Sequence, residues 1–242
     1  MAALHCAFDL HLHSCLSPCG DADMTPANVA AMCALAGLDV VALTDHNTVG
    51  NCAAFADAAR QHGLLALPGM ELCTREEVHV VCLFAELAAA QAFGAAIYEL
   101  LPSIPNDPVV FGPQVYMDSG DEILGEEPRL LAAAADVGLY DVPALVERYG
   151  GFAIPAHIDR PSNSVLSQLG LWDPELKFPL AEVSRNCPEN LFDRFDLQGL
   201  RHIFGCDAHY LDQIPDAHQW MDLPQCTPQA VLDWLRGTAY RL

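Results

Sequence analysis

The chain has one lysine, Lys177, in 242 residues. Lysine and arginine together number 11 against 32 acidic side chains, a formal charge of −21 with neutral histidine. A surface so poor in positive charge repels phosphodiester backbones and anionic lipid, so neither long nucleic acid nor a membrane is expected as a partner. No apolar run reaches the roughly eighteen residues that a spanning helix requires. The first ten residues lack Lys and Arg and carry Asp9, so they do not read as a secretory leader. Cysteine is abundant at ten, but no pair stands at C-x-x-C spacing, and a chain this long and 52% hydrophobic does not need a disulfide framework. Reduced thiols and a cytoplasmic location are expected.

What is present is an alternation of apolar runs with helix-length spacers. Seven strands are predicted, at Phe8–His13, Leu38–Thr44, Leu64–Pro68, Val78–Phe84, Phe152–Ala156, Leu180–Val183 and His202–Cys206. Between them, Thr25-Pro26 starts a helix that Gly37 stops, an Ala-rich helix fills about 51–62, and Thr227-Pro228 opens a last helix that ends at Gly237. Near-continuous apolar strands with helical crossovers predict a parallel sheet covered on both faces. Residues 86–148 break the rhythm. They offer a helix at Leu87–Leu101, a Pro/Gly/Asp-rich stretch and a helix at Val142–Tyr149. Such a segment reads as an insertion, either a lid or a surface elaboration.

The polar residues fall at strand ends. His11 and His13 stand at i and i+2, on one face of a strand. His46 follows the second run, Glu71 the third, His157 the fifth, and Asp207 and His209 the last. In a β/α barrel these ends converge, and imidazoles and carboxylates that converge make a metal grip. His79 fits less easily: it begins its run, so a short strand or a bulge is expected there. The remaining histidines (His5, His62, His202, His218) and the tryptophans Trp172, Trp220 and Trp234 read as surface or packing residues. Glu76-Glu77 and the acidic stretch Gly120–Glu127 read as exposed turns.

Taken together, these motifs resemble the polymerase and histidinol phosphatase (PHP) domain family. The likeness is carried by Asp9-Leu10-His11-Leu12-His13-Ser14, Thr44-Asp45-His46-Asn47, Gly69-Met70-Glu71, His79, Ala156-His157 with Arg160, and Asp207-Ala208-His209, in that order. The resemblance implies one catalytic domain over residues 1–242, a distorted, TIM-like (β/α)7 barrel, with the 86–148 segment inserted. It implies two or three divalent metal ions (zinc, manganese or iron) and hydrolysis of a phosphate ester. His11, His13, Glu71 and Asp207 would hold one ion. Glu71 would bridge to a second, held also by His79 and His157, and His46 and His209 would hold a third. That third ion needs another ligand from the loop after His13, where Asp21 is the preferred residue and Cys19 the alternative.

The chemistry expected of such a cluster is attack by water whose pKa a divalent ion has lowered towards about 7. Asp9 and Asp45 are expected to orient ligand histidines. Arg160 and Arg185, each just past a predicted strand, are candidates to grip phosphate through the planar guanidinium, with Arg75 a third. The substrate expected is a small phosphorylated metabolite, a nucleotide for example. Two other classes stay open: an amide-cleaving metallohydrolase and a non-catalytic metal-binding module. The first often bridges its metals with a carboxylated lysine, and Lys177 lies before its strand rather than at its end. The oligomeric state is not legible.

Overall fold

A computed structural model describes residues 3–237; Met1 and Ala2 of the N-terminal stretch and residues 238–242 lie outside them. The strands are β1 (Leu4–Leu12), β2 (Val40–Leu43), β3 (Leu65–Cys73), β4 (His79–Leu83), β5 (Val115–Met117), β6 (Ile123–Glu126), β7 (Phe152–Pro155), β8 (Leu180–Val183), β9 (Arg201–Phe204) and β10 (Trp220–Leu223). Six of them form one curled sheet in the order β10-β1-β2-β3-β4-β7, while β5-β6 and β8-β9 are separate pairs. The architecture is an α/β half-barrel. It corrects the expected seven-stranded, all-parallel ring in two respects.

First, β4 runs antiparallel to both β3 and β7. Only residues 74–78 link β3 to β4, and a parallel crossover needs a dozen or more. The antiparallel turn also explains His79. In the register Cys73 faces His79, so the first residue of β4 lies at the end where β3 finishes. Neither a bulge nor a short strand is required. Second, the ring is joined at its two gaps only near the strand ends. Ile158 N donates to Glu182 O (2.9 Å), Asp207 N to His11 O (3.0 Å) and His13 N to Ala208 O (3.2 Å). The first half of β1 pairs instead with β10, antiparallel, from Leu4 opposite Leu223 to Ala7 opposite Trp220.

Helices α1 (Pro26–Leu35) and α2 (Cys52–Gln61) cover one flank of the sheet, α3 (Leu87–Leu100) and α4 (Val142–Arg148) the other. Thr25 caps α1 by accepting the Asn28 amide at 3.2 Å. The inside of the curl is apolar: Leu10, Val40, Leu67, Val81, Ile154, Leu180, Ile203 and Leu223 meet there. The C-terminal helix Pro228–Arg236 closes its lower end with Val231, Leu232 and Leu235. Trp234 of this helix sets its ring edge-on to Phe8 at 5.5 Å, a packing role. Above this plug, at the C-terminal ends of β1, β2 and β3, the interior turns polar.

The stretch Gly120–Glu127 is not a simple exposed turn. Asp121 accepts the Thr25 hydroxyl (2.8 Å) and the Ala27 amide (3.3 Å), which docks the β5–β6 turn on the start of α1. Glu127 is buried and accepts the hydroxyls of Tyr98 (3.0 Å) and Tyr116 (2.6 Å). Among the described residues no helix is long and apolar enough to cross a membrane.

Candidate metal centre

Glu71 is the hub. Its carboxylate, fully buried, stands among five imidazoles: Oε1 is 3.2 Å from His11 Nε2, 2.9 Å from His79 Nδ1 and 3.1 Å from His157 Nε2, while Oε2 is 2.9 Å from His46 Nδ1 and 3.3 Å from His13 Nε2. Beside it, Asp207 Oδ1 lies 2.9 Å from His13 Nε2 and 3.3 Å from His11 Nε2. The strands supply these groups as the alternation demands. His11 is on β1 and His13 just past it, Glu71 is on β3, and His46 is bridged to Glu71 in parallel register. His157 and Asp207 follow β7 and β9 in left-handed backbone, φ +32° and +50°. Non-glycine residues hold that conformation at a cost, and such strain gathers at functional sites.

The donor atoms fall into three overlapping groups, each compact enough to hold one ion: His11, His13, Glu71 and Asp207; His46, Glu71 and His79; His13, His46 and His209. The fit to metal is chemical as well as spatial. Within the cluster, Glu71 Oε2, His46 Nδ1 and Asp207 Oδ1 are buried without a hydrogen-bond partner. Leaving such groups unpaired costs about 1–3 kcal/mol each. Lone pairs that face a common space instead of a donor are what a cation would satisfy.

Further residues hold the ligands in place, and the motifs did not reveal them all. Glu182, the lone carboxylate of the apolar strand β8, is 2.8 Å from His11 Nδ1 and also accepts the His157 amide at 3.2 Å. It thereby fixes the tautomer in which His11 Nε2 carries the free lone pair. Gly205 makes room for it, since a Cβ there would collide with the Glu182 carboxylate. Ser17 does the same for His13: its hydroxyl lies 2.9 Å from His13 Nδ1 and donates to Asp45 Oδ1 at 2.7 Å. Asp45 also accepts the Ser14 amide and hydroxyl, both at 2.7 Å, so it acts on His13 through Ser17. Asp9 touches no imidazole; it accepts the His11 amide at 3.1 Å. The signal for Glu182 was present in the sequence, as an acid inside an apolar run.

Charge is balanced among these groups. Burial opposes ionisation of Glu71, but positive charge on His79, His11 and His46 holds its carboxyl well below the usual range. Burial likewise opposes protonation of His11, yet Glu182, Glu71 and Asp207 hold its pKa well above 6.5. His13 rises to about 9 against its own burial, through Asp207 and Glu71. His209 falls to about 3, from burial and then the charge of His13. Burial lifts Asp9 to about 7.

The remaining predicted residues divide. Arg160 Nη1 pairs with Asp207 Oδ2. Arg160 and Arg185 line one cavity of about 380 Å³ with Ser184 and Asn186. Arg75 pairs instead with Asp136 at 2.8 Å on the surface, apart from the cluster. Asp21 does not join the histidines; its Oδ1 accepts the Asp23 amide at 2.9 Å. His5 pairs with Asp222 on the surface, and none of His5, His62, His202 and His218 enters the cluster.

Comparison with known proteins agrees with this geometry. The PHP domain model matches residues 9–150, and the chain belongs to that family. Its fold is shared with endonuclease Q from Pyrococcus furiosus (TM-score 0.71, 14% identity), with 98% of this chain and 57% of that one covered. A candidate metal-dependent phosphoesterase from Bifidobacterium adolescentis matches at TM-score 0.63 and 17% identity, covering 94% and 96%. An amidohydrolase from Chromobacterium violaceum, solved with sulfate and no metal, matches at 0.59 and 23%, covering 96% of each chain. This chain therefore spans little over half the length of endonuclease Q. A search of curated protein sequences gave no match.

One expectation is overturned by these likenesses. Endonuclease Q has been solved with a 27-mer duplex carrying an abasic lesion at its active site. The exclusion of long nucleic acid, drawn from the net charge of −21, does not hold for this fold. Net charge averages over a whole surface, whereas nucleic acid meets only the local field of the face that receives it.

Proposed function

We propose that the chain is a metal-dependent hydrolase of phosphate esters. The observation that carries this reading is the buried Glu71 carboxylate among five imidazoles, with Glu71 Oε2 and His46 Nδ1 both unpartnered. His11, His13, Glu71 and Asp207 would hold one ion, Glu71 with His79 and His157 a second, and His46 and His209 would face an outer third. Divalent cations there would supply an acidified water and offset charge on a phosphoryl group.

The protein's own groups do the rest. Glu182 and the Ser17–Asp45 pair keep His11 and His13 in the ligating tautomer. Asp207 anchors Arg160, and Arg185 has no hydrogen bond or ion pair among the described residues, which leaves its guanidinium free for an anion in the shared cavity. That cavity and a neighbouring one of about 400 Å³ beside Cys19, His209 and Tyr210 are of the size that small ligands occupy. They support a small phosphorylated metabolite as substrate. The β5–β6 segment would wall this mouth. Val115 N donates to Cys15 O at 3.1 Å, and a Cβ on Gly112 would strike the Pro18 carbonyl oxygen, so the segment lies against the loop that bears Ser17 and Cys19. Lys177 lies before β8 and lines a separate cavity with Phe152 and Arg236, which weighs against the carboxylated-lysine bridge that an amide-cleaving reading would invoke.

The test is phosphate release by the metal-loaded chain from a panel of phosphomonoesters and small phosphodiesters, with amides and lesion-bearing DNA duplex alongside. Turnover of a phosphoester upholds the reading, and turnover of amides alone ends it. In the same assay Arg185→Ala is expected to raise KM with metal content unchanged; loss of metal would make Arg185 structural.

A further inference from the structure

An outer ion at the mouth of the cluster would need one more ligand, and the loop after β1 borders that place. His13, His46 and His209 each bring a ring nitrogen within 4.8 Å of the others, and the His13 and His209 rings stack at 4.1 Å. His13 Nε2 is shared with Glu71 and Asp207. That leaves His46 and His209 for the outer position, one protein ligand short of a three-ligand open site. His209 Nδ1 donates to Asp207 O at 2.8 Å, which leaves Nε2 as its ligating nitrogen, and Asp207 Oδ1 beside it is buried without a hydrogen-bond partner.

Two side chains compete for the missing place. Asp21 gives its carboxylate to the Asp23 amide, and its own amide donates to His209 O at 2.9 Å, so its backbone faces the site while its side chain closes a turn. Cys19, two residues earlier and exposed, stands beside His46 and lines the 400 Å³ cavity with Asp207 and His209. The turn that presents it is fixed: Gly20 N donates to Ser17 O at 2.9 Å, and a Cβ on Gly20 would strike the Ser14 carbonyl oxygen.

We propose that Cys19 is a sulfur ligand of the outer metal position, with His46 and His209. This rests on the metal-centre reading above and deepens it. On binding, the S–H proton passes to solvent and a sulfur–metal bond forms. A thiolate favours zinc, iron(II) or cobalt(II) over manganese or magnesium.

The full chain, stripped of metal, is titrated with cobalt(II) as wild type, Cys19→Ser and Asp21→Asn, with absorption recorded and bound cobalt counted. Wild type and Asp21→Asn are expected to develop a thiolate-to-cobalt charge-transfer band. Cys19→Ser is expected to lack the band and bind one cobalt fewer, while keeping the weaker bands of nitrogen and oxygen ligation. Its zinc affinity at that position should fall by at least the roughly 10–100-fold that loss of an outer partner costs. Cobalt uptake by wild type without the band, or a band that survives in Cys19→Ser, overturns the Cys19 assignment and leaves the rest of the cluster standing. No cobalt uptake by wild type overturns the metal-centre reading itself.

Discussion

At the residue scale, the site is a problem of tautomers and lone pairs. A histidine can ligate through Nε2 only if the proton stays on Nδ1, and two arrangements enforce this: Glu182 on His11 (2.8 Å) and Ser17, backed by Asp45, on His13 (2.9 Å). Loss of such a partner typically costs about 10–100-fold in metal affinity or activity. Glu182→Gln keeps the shape and can still accept through its amide oxygen, so metal affinity should fall less than in Glu182→Ala. Competition with a chromophoric chelator measures both, and equal losses would mean that the charge of the carboxylate, rather than its acceptor oxygen, holds His11. Glu71→Gln should be more severe. It removes the negative charge that five imbedding imidazoles share, and elemental analysis should find the metals gone along with activity.

At the element scale, β3, β4, β8 and β9 decide the geometry. The five-residue link between β3 and β4 forces an antiparallel turn, which carries His79 up to Glu71. Strand β9 runs beside β8 in parallel register, and Gly205, just past it, lies over Glu182. Gly205→Ala would drive a methyl group into a buried carboxylate. The expected cost is about 1–3 kcal/mol, as for other overpacked interiors, read as a lower urea midpoint, together with weaker metal binding through His11. A shorter reach operates where the β5–β6 turn meets α1. Asp121→Ala removes two hydrogen bonds at the helix start and should cost about 1–2 kcal/mol, without touching the cluster; unchanged thermal stability would count against that docking.

For the whole molecule, the buried charges tie folding, metal and pH together. In the metal-free protein the His13 pKa is raised from 6.5 to about 9. The stability it contributes is full below 6.5 and is lost as pH rises through about 9. Glu71 and Asp207 are depressed, so their contribution is present above their ordinary values of 4.5 and 3.8 and is lost as pH falls below them. Metal competes with the histidine protons, so its affinity should climb with pH up to about 9, and binding at pH 7.5 should release protons. Calorimetry in two buffers of different ionisation heat measures that release; none at all would mean the imidazoles are already neutral. Chelation should lower the melting temperature, because an ion that binds only the folded state stabilises it by mass action.

Much of this was legible in one dimension. The period-two spacing of His11 and His13 and the polar residues at the ends of apolar runs announced the cluster, because strand geometry alone decides that such residues share a face and an end. Seven strands were found for the same reason: each apolar run must bury itself. The sequence pattern also led to Asp45, but not to Ser17, through which it works, because a hydrogen-bond relay has no periodicity. The tertiary structure decided the rest: that β4 runs backwards, that β10 rather than β9 pairs with the start of β1, that Glu182 reaches His11 across 171 positions of chain, and that Asp21 turns its side chain to the Asp23 amide rather than to the histidines. Local pattern fixes which face a residue takes, but strand direction, long-range pairing and the course of an irregular loop follow from how the whole chain closes on itself.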